Sequence, residues 1–360
     1  MKRPGGSPPR AALNFVLASL VVVSALTLAV LALAVLALAA CGGASTTAST
    51  SPSTAILSSS APTESAIPLP TPTVAGTIAF DGIVKTGEGR YGEGGNGNIY
   101  VVNADGTGLK QLTDAPGWEQ HPSWSPDGSK IVYVVYAEGS GDADYATVWV
   151  MNADGSGQRQ LTKSSVGGVE PTWSPDGKQI AFLRVLMPDE FTLFVMNADG
   201  SGLKRVMRPA AASNPNTQGD ERLPIWAPNG KLLFLRLGDV FAVNLDGSGL
   251  ARLTKGGNVV NYALSPDGKR LAIQNAMSHR IEVVSAHGAG TPVALLKPVS
   301  DFITDPMVAA AWTPDGHALA LATGSFGGGH GSRIYVVKAD GSGLSAVPGI
   351  DNAEEPAWRP

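Results

Sequence analysis

The chain is short of the groups that most enzyme chemistry needs. It holds 1 cysteine and 5 histidines in 360 residues. A single cysteine excludes a disulfide within the chain. His121, His279, His287, His317 and His330 are scattered rather than spaced as metal ligands. There is no Gly-x-Ser-x-Gly elbow, no His-Glu-x-x-His pair and no Walker-type loop, which removes the usual signatures of serine hydrolases, zinc proteases and P-loop nucleotidases. The glycine run Gly327-Gly328-Gly329 leads into neither a lysine nor a helix and so makes no phosphate loop. Basic runs are also missing, and the net charge is -4, a balance that argues against nucleic acid. Between the strand-like segments no helical periodicity occurs.

What is present is repetition. Five marks read Trp124-Ser125-Pro126-Asp127-Gly128, Trp173-Ser174-Pro175-Asp176-Gly177, Trp226-Ala227-Pro228-Asn229-Gly230, Leu264-Ser265-Pro266-Asp267-Gly268 and Trp312-Thr313-Pro314-Asp315-Gly316, and a sixth begins at Trp358-Arg359-Pro360. A second mark runs in step: Asn103-Ala104-Asp105-Gly106, with copies at 152, 197, 244 and 338 and a degenerate copy at Ser285-Ala286-His287-Gly288. Each mark lies between short runs rich in β-branched and aromatic residues, which read as strands joined by tight turns. Pro presets φ at a turn corner, and Asp-Gly supplies a side-chain acceptor and a positive φ. In one unit the strands fall near 121–125, 130–135, 147–151 and 158–161. Four short antiparallel strands at a period of roughly 40–50 residues describe a propeller blade.

The ends of the repeat region complete each other. Gly76-Thr77-Ile78-Ala79-Phe80 reads as a second strand without its first, and Glu355-Pro356-Ala357-Trp358 as a first strand without its second. Joined, they close a ring and remove exposed sheet edges. The expected fold is therefore all-β, a six-bladed β-propeller over 76–360. An open solenoid would leave both half-units unexplained.

The Trp-Ser-Pro-Asp-Gly-Lys-Gln-Ile-Ala-Phe stretch at 173–182 and the Asn-Ala-Asp-Gly-Ser-Gly stretches at 152 and 197 resemble the WD-repeat-like propeller repeats of the TolB family. The resemblance covers about residues 76–360 and implies the fold. It implies function less narrowly, because such propellers serve as binding platforms, transport subunits and domains of peptidases and lyases. The family pattern places an α/β domain before the propeller, whereas residues before 76 here read as a leader and a linker, a departure that weighs against a Tol-type role.

Lys2, Arg3 and Arg10 precede an almost wholly apolar stretch over 11–40, and Leu38-Ala39-Ala40-Cys41 resembles a bacterial lipobox. The expected organisation is a lipoprotein signal peptide over 1–40, acylated Cys41 with a disordered Ser/Thr/Pro-rich tether over 41–75, and the propeller. An uncut transmembrane anchor is the alternative, since the stretch is long enough to span a bilayer. Both hold the propeller outside the cytoplasm, on the cell membrane or the periplasmic face of an outer membrane. With Cys41 acylated no thiol remains, and loss of the leader takes the net charge to about -7.

In a propeller the two repeated marks share one face and the variable loops, at 82–97, 137–146, 208–222 and 324–332, share the other. Binding is expected on the variable face, at the mouth of the central channel. Aligning the units on their Trp or Leu puts His121, Glu170, Leu223, Asn261, Ala309 and Glu355 in one column that should ring that mouth, with Glu119, Glu221, Arg222 and Glu354 close by. One reading is an acidic pocket with one imidazole, suited to a basic peptide group or a divalent cation, with His121, Glu170 and Glu355 as weak metal candidates. The other is a solvated polar rim. Asp142 and Asp144 lack the ligand spacing of a calcium loop. The five Trp of the marks are expected to pack between blades. The sequence thus reads as a non-catalytic, monomeric binding module for a protein, peptide or envelope glycan, without a cofactor, the alternative being a metal-assisted lyase or hydrolase at the channel mouth.

Overall fold

A computed structural model describes residues 74–82, 97–137, 146–187, 190–207, 221–277, 280–287, 293–294, 307–323 and 332–360. The expected leader, Cys41 and the tether up to residue 73 lie outside the described residues, as do Asp142, Asp144 and most of the variable loops. Among the described residues no helix is long and apolar enough to cross a membrane.

Among the described residues, twenty-four strands form six four-stranded antiparallel sheets. Blade 1 contains β1 (Thr77–Gly82), β2 (Asn98–Asn103) and β3 (Lys110–Gln111). Blade 2 is β4 (Gly117–Trp124), β5 (Lys130–Ala137), β6 (Thr147–Asn152) and β7 (Arg159–Gln160). Blade 3 is β8 (Val169–Trp173), β9 (Gln179–Met187), β10 (Glu190–Asn197) and β11 (Lys204–Arg205). Blade 4 is β12 (Arg222–Trp226), β13 (Leu232–Arg236), β14 (Asp239–Val243) and β15 (Ala251–Arg252). Blade 5 is β16 (Val259–Leu264), β17 (Arg270–Asn275), β18 (Arg280–Ser285) and β19 (Val293–Ala294). Blade 6 is β20 (Met307–Trp312), β21 (Ala318–Thr323), β22 (Arg333–Lys338) and β23 (Ser345–Ala346), and β24 (Ala353–Trp358) completes blade 1. Pairing of β24 with β1, Trp358 opposite Ile78 and Ala353 opposite Gly82, closes the six-bladed ring.

The marks work as local turn chemistry. In the first kind, Ser125 Oγ donates to Asp127 Oδ1 at 2.6 Å and accepts from Lys130 N at 2.9 Å. That hydroxyl, with the N–H and Oγ of Ser129, takes the Asp127 pKa down to about 2. In the second, Asp105 Oδ1 accepts from Thr107 N at 2.9 Å, the side-chain-to-backbone bond for which Asp is favoured in turns.

The Trp of the marks join blades. Trp124 Nε1 donates to Ala357 O at 3.2 Å, Trp226 Nε1 to Thr172 O at 3.2 Å and Trp312 Nε1 to Ala263 O at 3.1 Å. Each acceptor is two residues beyond the column position of the preceding blade. The six apolar clusters lie between neighbouring blades, one of them uniting Ile78, Phe80 and Tyr100 of blade 1 with Ala320, Ile334 and Val336 of blade 6. Burying such faces against each other is what makes a closed ring of individually unstable sheets cohere.

Candidate functional site

Every first strand carries a register shift at the column position or, in blades 5 and 6, one residue before it. The shifts fall between Gln120 and Ser123, Val169 and Thr172, Arg222 and Ile225, Val259 and Asn261, and Met307 and Ala309, and opposite Ala79 and Asp81 in blade 1. In blades 1–4 the column residue has a left-handed backbone: φ is 47° at Glu355, 56° at His121, 51° at Glu170 and 53° at Leu223. These are the four column residues followed by proline, which has no N–H to give the ladder and is at home in a bulge. Such bulges re-aim side chains and recur beside functional sites.

The re-aimed side chains meet. The six column residues line a cavity of about 160 Å³ at the channel mouth. Its acidic half holds two separate links between neighbouring blades. Glu355 Oε2 lies 2.6 Å from His121 Nδ1 and accepts from His121 N at 2.9 Å. Glu170 Oε2 accepts from Leu223 N, and Leu223 O accepts from the Tyr262 hydroxyl at 2.7 Å. Tyr262, Ile225 and Ala310 make the other half apolar.

Burial alone would lower the imidazole pKa, but the Glu355 carboxylate and its hydrogen bond, with Glu170 and Glu354 behind, outweigh it and hold His121 at about 9. Burial raises Glu170, and the neighbouring His121 moderates the rise. The phenols of Tyr136 and Tyr262 are also pushed up, first by burial and then by the carboxylates.

Four further candidates lie outside the cavity lining. Glu119 is fully buried, accepts from Thr113 Oγ1 at 3.2 Å and leaves Oε1 without a partner. Burial lifts its pKa to about 7. Glu354 accepts from Ser332 Oγ at 2.9 Å. The Arg222 guanidinium stacks 4.6 Å from the centre of the Phe191 ring, and Glu221 is buried. Alignment places these four beside the mouth. The bulge interrupts the two-residue alternation of the strand, so residues just before it do not share the column's direction.

The sequence reading overlooked Asp81. It is buried on β1, hydrogen-bonds Glu355 and leaves Oδ1 without a partner. Burial first, then the charges of Glu355 and Glu354, raise its pKa well above the ordinary carboxylate value. A signal existed: Ile78-Ala79-Phe80-Asp81 aligns with Ile180-Ala181-Phe182-Leu183, so an acid occupies a slot where blades 2–4 place Val134, Leu183 and Leu235.

Chemically, the mouth is a hydrogen-bonded acid–imidazole pair, with a second carboxylate on a backbone N–H, facing an apolar wall. Among the described residues no three His, Cys, Asp or Glu side chains are disposed to hold a metal ion; His121 Nδ1 is turned to Glu355 instead. A larger cleft of about 310 Å³ lies between blades 2 and 3 at the repeated turns, bordered by Asp127, Lys130, Arg159 and Asp176, solvated side chains of the turn face.

Residues 91–234 match the TolB beta propeller domain. A stretch of 52 residues is 48% identical to the Tol-Pal system protein TolB of Rhizorhabdus wittichii, covering 14% of this chain and 11% of that protein. The match thus takes in about a tenth of the length of that curated relative. TolB from Acinetobacter baumannii superposes with a TM-score of 0.62 at 20% identity, over 79% of this chain and 67% of that one. The hydrazine synthase of Kuenenia stuttgartiensis superposes with a TM-score of 0.59 at 15% identity, over 79% of this chain and 47% of that one. At such identities the likeness shows the fold, and the same ring serves unlike proteins. The strand order, the ring closure, the domain match and the superposition on TolB agree: this chain carries a TolB-like six-bladed β-propeller.

Proposed function

We propose that this protein is a non-catalytic binding module, tethered outside the cytoplasm through acylated Cys41, whose channel-mouth face takes a protein or peptide ligand. The observation that carries the reading is the mouth itself. Four residues held at positive φ direct their side chains toward one small cavity, and strained backbone of this kind persists where a site is built. The acid groups there are engaged with backbone N–H groups and an imidazole, and among the described residues lining the cavity there is no Ser, Thr, Cys or Lys for that imidazole to activate. A relative named as a Tol-Pal system protein favours a macromolecular ligand over a metabolite. The lipobox-like Leu38-Ala39-Ala40-Cys41 supports the anchor, and two or more acyl chains would make attachment stable.

The test is recovery of the full-length protein from its own membranes in three forms: unaltered, Glu170→Lys at the mouth, and Asp154→Lys on the turn face. A co-purifying protein lost only from Glu170→Lys supports the reading. A partner lost only from Asp154→Lys, or equally from both, overturns it.

A further inference from the structure

The mouth face carries exposed apolar side chains on one side of the cavity, where blades 4 and 5 meet. Met277 is 77% exposed, Leu237 55% and Val260 47%. Leu237 and Gly238 form the two-residue turn between β13 and β14, with φ of 51° and 71°. Two positive φ values mark the turn type that prefers Asn-Gly, and a bulky apolar residue avoids that conformation. Leu237 is thus both strained and solvent-facing, and it belongs to no apolar cluster between the blades.

The turn is also fixed in place. Asp239, buried at its base, accepts from the Arg252 guanidinium, from Thr254 Oγ1 at 2.9 Å and from Gly257 N at 3.1 Å. A Cβ at Gly238 would lie 2.2 Å from Gly257 O, so turn and loop are in direct backbone contact. Val259 N donates to Gly238 O at 2.8 Å, and Ala276 N donates to Asn258 O at 2.8 Å, which ties the hairpin bearing Met277 to the same loop. Val260 is the unpaired residue of the β16 bulge, directly before Asn261 of the cavity. From there Tyr262, Leu223 and Glu170 are linked by hydrogen bonds, so the apolar rim is continuous with the acidic cavity wall.

We propose that Leu237, Val260 and Met277 form a docking rim for an extended protein segment that lays apolar side chains on them and directs one Lys or Arg side chain into the cavity toward Glu170 and Glu355. This rests on the binding-module reading and adds the chemistry of the partner. Charge complementarity selects the basic residue: two carboxylates face the cavity against one imidazole. A space of about 160 Å³ admits a side chain rather than a folded element. Rigid presentation lowers the ordering cost of binding.

A phage-displayed random heptapeptide library, panned on the full-length protein, tests the proposal, followed by fluorescence anisotropy of the enriched peptides on three variants. Enriched peptides are expected to carry Lys or Arg flanked by Leu, Ile or Phe. Leu237→Asn should weaken their binding at least fivefold while raising the unfolding midpoint by about 1–3 °C, because it restores the preferred turn pair. Met277→Ser should weaken binding without that rise. Absence of enrichment, enrichment of acidic peptides, or binding indifferent to Leu237→Asn overturns the rim. If Glu170→Gln weakens binding and Leu237→Asn does not, the rim falls and the mouth reading stands. If neither variant matters, both fall. A lowered midpoint in Leu237→Asn refutes the argument from strain.

Discussion

Replacing Asp81 with asparagine should stabilise the propeller at pH 8 and leave it unchanged at pH 4. Asp81 is buried beside Glu355 and Glu354 with one oxygen unpartnered. Two acids that hydrogen-bond each other need one proton between them, and burial penalises the charged form of Asp81. Its folded pKa lies above its unfolded value, so the stability it contributes is complete below about pH 3.8 and is lost as pH rises through the folded pKa. Over that window the loss follows one proton, about 1.4 kcal/mol for each pH unit. The scale of the loss is that of a buried unpaired polar group, about 1–3 kcal/mol. Asparagine keeps a donor for Glu355 and removes the titration. The expected gain at pH 8 is therefore about 1–3 kcal/mol, a rise of a few degrees in the unfolding midpoint for a ring of this size. Calorimetric melts of both proteins from pH 4 to pH 8 would show two curves that coincide at the acid end and diverge upward in pH. A constant difference, or a variant less stable at pH 8, would refute the reasoning and mean that Asp81 is ionised and paired in the folded protein.

Glu119→Gln should behave alike with a different window: its raised pKa of about 7 makes the unaltered protein lose stability from about pH 4.5 to 7, and chemical denaturation at pH 5 and pH 8 should show the variant gaining only at the higher pH. His121→Ala should lower stability at pH 7 and have a smaller effect above pH 9, where the unaltered protein has lost the charged partner of Glu355; a pH series of melts checks the sign. Trp226→Phe removes the indole bond to Thr172 O and should cost about 1–3 kcal/mol in urea unfolding, an unpaired carbonyl being left between blades 3 and 4. Deleting Ala353–Pro360 strips β24 from β1 and should give aggregating material in size-exclusion chromatography.

Most of the architecture was legible because each repeat states its turns in side chains. Pro-Asp-Gly and Asn-Ala-Asp-Gly bind their own backbones locally, so their meaning does not depend on distant contacts. The column was legible for a related reason: the spacing from His121, Glu170, Leu223 and Glu355 to the next mark is the same in every blade, and symmetry alone brings equivalent residues to one axis. The directions of Glu119, Glu221, Arg222 and Glu354 were not legible. They depend on where the strand register breaks, and the break is set by left-handed residues before proline, a conformation the residue before proline does not ordinarily take. Asp81 escaped notice because it sits in a half-blade with no first strand beside it in sequence; its neighbour Glu355 is more than 270 residues away. Leu237 was hidden by the absence of the usual Asn-Gly signature in a turn that adopts the Asn-Gly geometry.

The mouth face, and not the face of repeated turns, is expected to meet the partner. A photo-reactive amino acid placed at Val260 on the mouth face, and in a parallel strain at Ser156 on the turn face, tests it directly in intact cells. The expected result is a discrete cross-linked protein from position 260 that disappears in the Glu170→Lys background, and none from position 156. A discrete product from position 156 with none from position 260 would contradict it.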